Sequence, residues 1–206
     1  MRDSYSLLTS LNFAHWLVLL GILVSTVGSS AYIFYTLKGE TKPNRISWGM
    51  WALAPFIGTA AALSAHGDVW MTVRIFLAGF FPFLVFLASF INPKSYWKLT
   101  VFDLLCGAFS FLAILIWYAI DSPTMAILLA AVADGSAALP TIVKAWKYPE
   151  TETGLTYITG FLTGLLFIPS IPHWDIANSA FQIYLLFASG ILTFAVYRRR
   201  IFGVFL

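Results

Sequence analysis

Seven apolar stretches, at 15–37, 47–65, 69–91, 97–119, 124–146, 154–171 and 175–197, leave little of this 206-residue chain for anything else. Each is near the roughly 20 residues that cross a bilayer as a helix and far exceeds the roughly 4–8 residues of a buried strand. In hydrocarbon a helix satisfies its own backbone N–H and C=O groups, so the expected fold is all-α with seven transmembrane helices. With 60% of residues hydrophobic and 10% charged, a soluble chain of this kind would aggregate, so the lipid bilayer is the expected surrounding. The net charge of +3 is small and not spread over a polar surface, which gives nucleic-acid binding no support. Cys106 is alone in an apolar run, so no disulfide framework forms, and the N-terminal MRDSYSLLTSLNF has no basic region followed by a small-residue cleavage site.

Basic residues give the direction of threading. Every Lys and Arg other than Arg2 and Arg74 falls in the connection 38–46, the connection 92–98, the elbow 144–153 or the tail at Arg198, Arg199 and Arg200. The opposite connections AHGD, AIDSP and SIPHWD contain neither residue type. The positive-inside rule then predicts an integral multi-pass protein with its N-terminus outside and its C-terminus cytoplasmic, a cell membrane being the expected location.

The chain also repeats itself. Laying Lys38 on Lys144 puts Pro43 on Pro149, Ser47 on Thr153, Trp51 on Tyr157, Gly58 on Gly164 and Phe81 on Phe187 without an insertion. The ordered Lys-x4-Pro-x3-Ser/Thr-x3-Trp/Tyr pattern is hard to produce from an apolar background. It predicts a first triple-helix repeat over 1–91, a linker helix within 92–123, and a second repeat with the basic tail over 124–206. The linker crossing returns the chain to its starting side, so the two units are expected to be parallel, in a 3+1+3 arrangement. Pro43 and Pro149 would shape the elbows, with Ser47 and Thr153 placed to cap the helices that follow.

The 3+1+3 plan and the segment ALPTIVKAWKYPETET resemble the PQ-loop superfamily, which includes SWEET sugar transporters and other solute carriers. The resemblance implies a transporter working by alternating access, with a Pro-Gln pair in the cytoplasmic half of helices 1 and 5 permitting bending. Pro140 matches the proline, Thr141 stands where glutamine is expected, and the first repeat has Phe34 and Tyr35. SWEET-like proteins also use Asn side chains on helices 3 and 7 for substrate hydroxyls. Asn178 is similar to one of these, and Thr72 stands at the position of its mate.

In that architecture a central cavity is expected, lined by the polar residues that lie at membrane depth. Asp134 lies near the bilayer centre, where a charged carboxylate costs about 2.5–3.5 kcal/mol on insertion scales. It should therefore be protonated or paired; it is a candidate for proton coupling or, more blandly, for packing through a hydrogen bond. Arg74 lies near the outer side of helix 3 and either snorkels to the interface or reaches inward to an anionic substrate. Asn178 and Gln182 are four residues apart and share a face of helix 7, as substrate contacts or as interhelical glue. Trp48, Trp51 and Tyr157 are interface anchors or stacking walls. Pro55 and Pro82, inside spans, and Pro140 are candidate hinges. Gly21, Ser25 and Gly28, and the pair Gly160 and Gly164, offer small faces for close helix approach. Asp103 is placed to pair with Lys98.

Metalloprotease, redox-dithiol, nucleophile-elbow and P-loop motifs are absent, and neither an enzyme nor a cofactor or metal site is expected. A retinal receptor is disfavoured because helix 7 lacks a Schiff-base lysine. The expected activity is transport of a small polar or aromatic solute, the alternative a non-transporting membrane receptor or sorting protein. The implied partners are that solute and the bilayer, with a homo-oligomer left open.

Overall fold

A computed structural model describes residues 13–64, 69–119, 123–171 and 174–203. It contains α1 (Phe13–Lys38), α2 (Arg45–Ser64), α3 (Val69–Ala88), α4 (Val101–Ala119), α5 (Pro123–Lys147), α6 (Gly154–Phe167) and α7 (Ile176–Ile201). Short 3-10 turns stand at Pro93–Ser95, Pro149–Thr151 and Ile168–Ser170.

The expectation of seven transmembrane helices is corrected. Among the described residues four stretches are long and apolar enough to cross a membrane: His15–Lys38, Val101–Ala119, Ile127–Lys147 and Ser179–Ile201. The apolar stretches Thr72–Ala88 and Gly154–Phe167 are shorter. At about 1.5 Å per residue the 14 residues of α6 reach only about 21 Å, against a hydrocarbon core of about 30 Å. Pro169 turns the predicted span 154–171 into a 3-10 segment before it gains that length. In α2, Arg45, Ser47, Gly49, Pro55, Gly58 and Thr59 dilute the apolar character of 20 residues. The sequence windows counted apolar residues across such interruptions. What stands is an all-α, multi-helix fold with several long apolar helices, consistent with a membrane-embedded protein. Phe109, Leu112, Leu115 and Ile116 on α4 are exposed, as a lipid-facing surface would be.

Six of the helices close into a ring: α1 packs on α3, α3 on α2, α2 on α5, α5 on α7, α7 on α6, and α6 back on α1. Helix α4 stands outside it, against α5 and α2. Small residues set the tight seams. A Cβ on Gly28 of α1 would run into Thr159 Oγ1 of α6 and come within 3.0 Å of the Thr156 Cα. On the same seam Ser25 and Thr163 share a hydroxyl hydrogen bond of 3.1 Å. Gly79 of α3 approaches α2 closely enough that a Cβ would lie 3.0 Å from the Ala52 carbonyl.

The two proline elbows meet at one end of the ring. Gly39, at φ +83°, ends α1 in the left-handed conformation, with Gly39 N–H donating to Thr36 O and Glu40 N–H to Tyr35 O, each at 3.0 Å. Lys42 N–H then donates to Thr151 O of the second elbow at 3.0 Å. Thr41 and Thr153 hydroxyls pair at 2.5 Å. The expected caps are corrected as well. Asn44 caps α2, its Oδ1 accepting from Ile46 N at 3.0 Å and Ser47 N at 3.3 Å. Ser47 lies inside the helix and its Oγ accepts from Thr141 Oγ1 at 2.8 Å. Thr153 does stand at the N-cap position of α6, immediately before Gly154, but makes no side-chain cap bond, its hydroxyl being paired with that of Thr41. Asp103 joins Asn44 Nδ2 at 3.1 Å and the Thr100 N–H at 2.6 Å, where pairing with Lys98 was expected.

Candidate functional site

The ring encloses a cavity of about 320 Å³, at the small end of the range for ligand pockets. All six ring helices contribute to its wall and α4 contributes nothing. Asp134, Arg74, Gln182, Trp48, Trp51 and Tyr157 line it, as do Pro55 and Pro82. The remaining surface is largely small or apolar, including Gly21, Leu77, Phe81, Gly160, Phe181 and Leu185.

Arg74 turns inward. Its Nη2 donates to Gln182 Oε1 at 2.5 Å, and its guanidinium lies 3.8 Å from the ring centre of Phe167. Gln182 is itself oriented by Nε2, which donates to Gly164 O at 3.5 Å. Of the two residues four apart on α7, Gln182 is buried in the cavity wall; the side chain of Asn178 lies outside the described residues. Thr72 is buried on α3 but not in the wall.

Asp134 is half-buried on α5. Its Oδ2 accepts from the Tyr184 hydroxyl of α7 at 2.6 Å, and its carbonyl accepts from Trp51 Nε1 at 3.4 Å. Tyr184 escaped the sequence reading because a Tyr in an apolar helix carries no periodic signal until its partner's position is known. Arg74 and Asp134 do not pair with each other; their hydrogen-bond partners stand two residues apart on α7, a difference in depth of about 3 Å along that helix.

Toward the elbows the aromatic residues form a floor. Trp48 and Tyr157 are each 5% exposed, which corrects the expectation of interface anchors. Trp51 meets Trp48 edge to face with centroids 5.2 Å apart. Tyr32 packs beneath at 4.5 Å from Trp48 and 6.3 Å from Tyr157, each ring excluding water from the others. Below the rings Lys144 Nζ stands 2.7 Å from Glu152 Oε1, with side chains 1% and 0% exposed. Glu152 Oε2 accepts from Tyr32 OH at 2.7 Å and Tyr157 OH at 2.8 Å, and Lys144 also donates to Lys42 O of the first elbow. This buried clasp ties α1, α5, α6 and both elbows together, closing the ring at that end. Pro140 is buried on α5 one turn before Lys144, outside the cavity wall.

No protein-family model, curated protein or solved structure matches the chain.

Proposed function

We propose that the protein carries a small polar or aromatic solute across a membrane by alternating access through the ring cavity. The observation that supports this best is the placement of Asp134, Arg74 and Gln182 around one small, otherwise apolar space, closed at one end by a buried clasp. Polar and ionisable side chains at such depth are costly and are retained where they meet a substrate or a proton. Solute would contact Asp134, Gln182, Arg74 and the rings of Trp48, Trp51 and Tyr157. The prolines Pro55 and Pro82 in the wall, and Pro140 on α5 outside it, would adjust the wall as access alternates.

The likeness of the ALPTIVKAWKYPETET segment to PQ-loop carriers and the repeated Lys-Pro elbows favour the same reading. By the distribution of Lys and Arg, the clasped end faces the cytoplasm. Asp134 would take up a proton with the solute and release it on the other side. The test is uptake of a small-metabolite panel into sealed vesicles, with and without a proton gradient, for the wild type and Asp134→Asn. Solute-specific flux that loses its gradient stimulation in Asp134→Asn is expected. Binding without flux would replace the carrier with a receptor or sorting protein, and unchanged gradient stimulation would remove Asp134 from proton coupling.

A further inference from the structure

The charge pattern of the cavity narrows its occupant. Arg74 presents a guanidinium with five N–H donors, and among the described residues it makes one side-chain hydrogen bond, to the neutral Oε1 of Gln182. Phe167 covers one face of the group and Gly164 O holds Gln182, so the fork is fixed in direction before anything binds. Among the described residues no acidic side chain pairs with it: the ion pairs are Lys144 with Glu152 and Arg199 with Glu150, both at the elbow end. Asp134, in the same wall, is engaged with Tyr184. A cation held in a largely apolar wall without a counter-ion is costly, and an entering anion repays that cost.

We propose that the cavity takes a small monocarboxylate with an apolar body, its carboxylate on the free edge of Arg74. This deepens the solute-carrier reading and rests on it. The planar fork matches a carboxylate bidentately. A dianion would bring a second negative charge into a wall that already holds Asp134, and a cation would meet Arg74 unscreened. The body of the ligand faces Leu77, Phe81, Phe181 and Leu185, which offer dispersion and no further hydrogen bonds of their own side chains.

The test uses the full chain in detergent micelles, with quenching of the wall tryptophans as the signal, and three probes of one shape: phenylacetate, phenylacetamide and phenethylamine. Phenylacetate should bind more tightly than the amide by about tenfold or more. Arg74→Gln should abolish that preference, and Arg74→Lys, which keeps a point charge without the fork, should retain part of it. The wild-type comparison stands even if a variant fails to fold. Equal binding of acid and amide, or preference for the amine, would overturn the anion site while leaving a solute cavity in place. Binding of none of the three, with no flux of any solute in the vesicle panel, would overturn both.

Discussion

Replacing Lys144 with Met removes the cation from a pair whose two side chains are 1% and 0% exposed and leaves the Glu152 carboxylate buried. The Tyr32 and Tyr157 hydroxyls still donate to that carboxylate, but neither supplies a positive charge. Removing one partner of a buried pair costs about 3–5 kcal/mol, whereas exposed pairs contribute about 0–1 kcal/mol. On the scaling for soluble chains of this length, about 2–4 °C per kcal/mol, the midpoint of thermal unfolding in micelles should fall by about 6–20 °C. The second arm is the double variant Lys144→Met with Glu152→Gln. A neutral Gln oxygen still accepts from both phenols, so the double variant should recover part of the loss, with a coupling of about 2–3 kcal/mol. Glu150→Gln is the internal control, since Glu150 meets Arg199 at 3.7 Å with side chains 62% and 40% exposed, and it should shift the midpoint by little. A Lys144→Met penalty within the range of exposed pairs, or a double variant as unstable as the sum of its singles, would refute the clasp as a coupled buried unit.

Gly28→Ala should destabilise the α1–α6 seam by about 1–3 kcal/mol, because the new methyl meets Thr159 and the Thr156 backbone. Gly49→Ala, where the nearest atom is Phe86 Cε2 at 3.4 Å, should be neutral or stabilising in the same unfolding assay; equal effects of the two would contradict the packing described. Asn44→Ala should cost about 1–2 kcal/mol through loss of the α2 cap. Ser47→Ala leaves that cap in place, so an Asn44→Ala effect no larger than that of Ser47→Ala, read as unfolding midpoints, would return the cap to Ser47.

Much of the helical framework is legible in the residues one at a time. Long apolar runs give α1, α4, α5 and α7, because hydrophobicity and the helix's internal hydrogen bonds are local properties. The same windows overstated α2, α3 and α6, because a count of apolar residues is blind to Pro169 ending a helix or to polar residues diluting one. Asp134 and Arg74 stood out as ionisable residues in apolar surroundings, which is a signal a sequence carries. Their partners Tyr184 and Gln182 were unequal in legibility: Gln182 is rare in such a helix, and Tyr184 is ordinary there. The clasp had no signal. Lys38 and Lys144 occupy matching places in the repeated pattern, yet Lys38 is exposed over the Phe34 ring at 4.4 Å, and Lys144 is buried against Glu152.

By itself, then, the sequence determined that the chain is helical, apolar, and bent through two Lys-Pro elbows, since those properties follow from the chemistry of neighbouring residues. The tertiary structure alone decided that six helices close into a ring, that the elbows meet, and that Trp48 and Tyr157 form a cavity floor and not an interface belt. These depend on which surfaces face each other across long separations. Tyr32 and Glu152, 120 positions apart, acquire their hydrogen bond only when α1 and the second elbow are brought into contact.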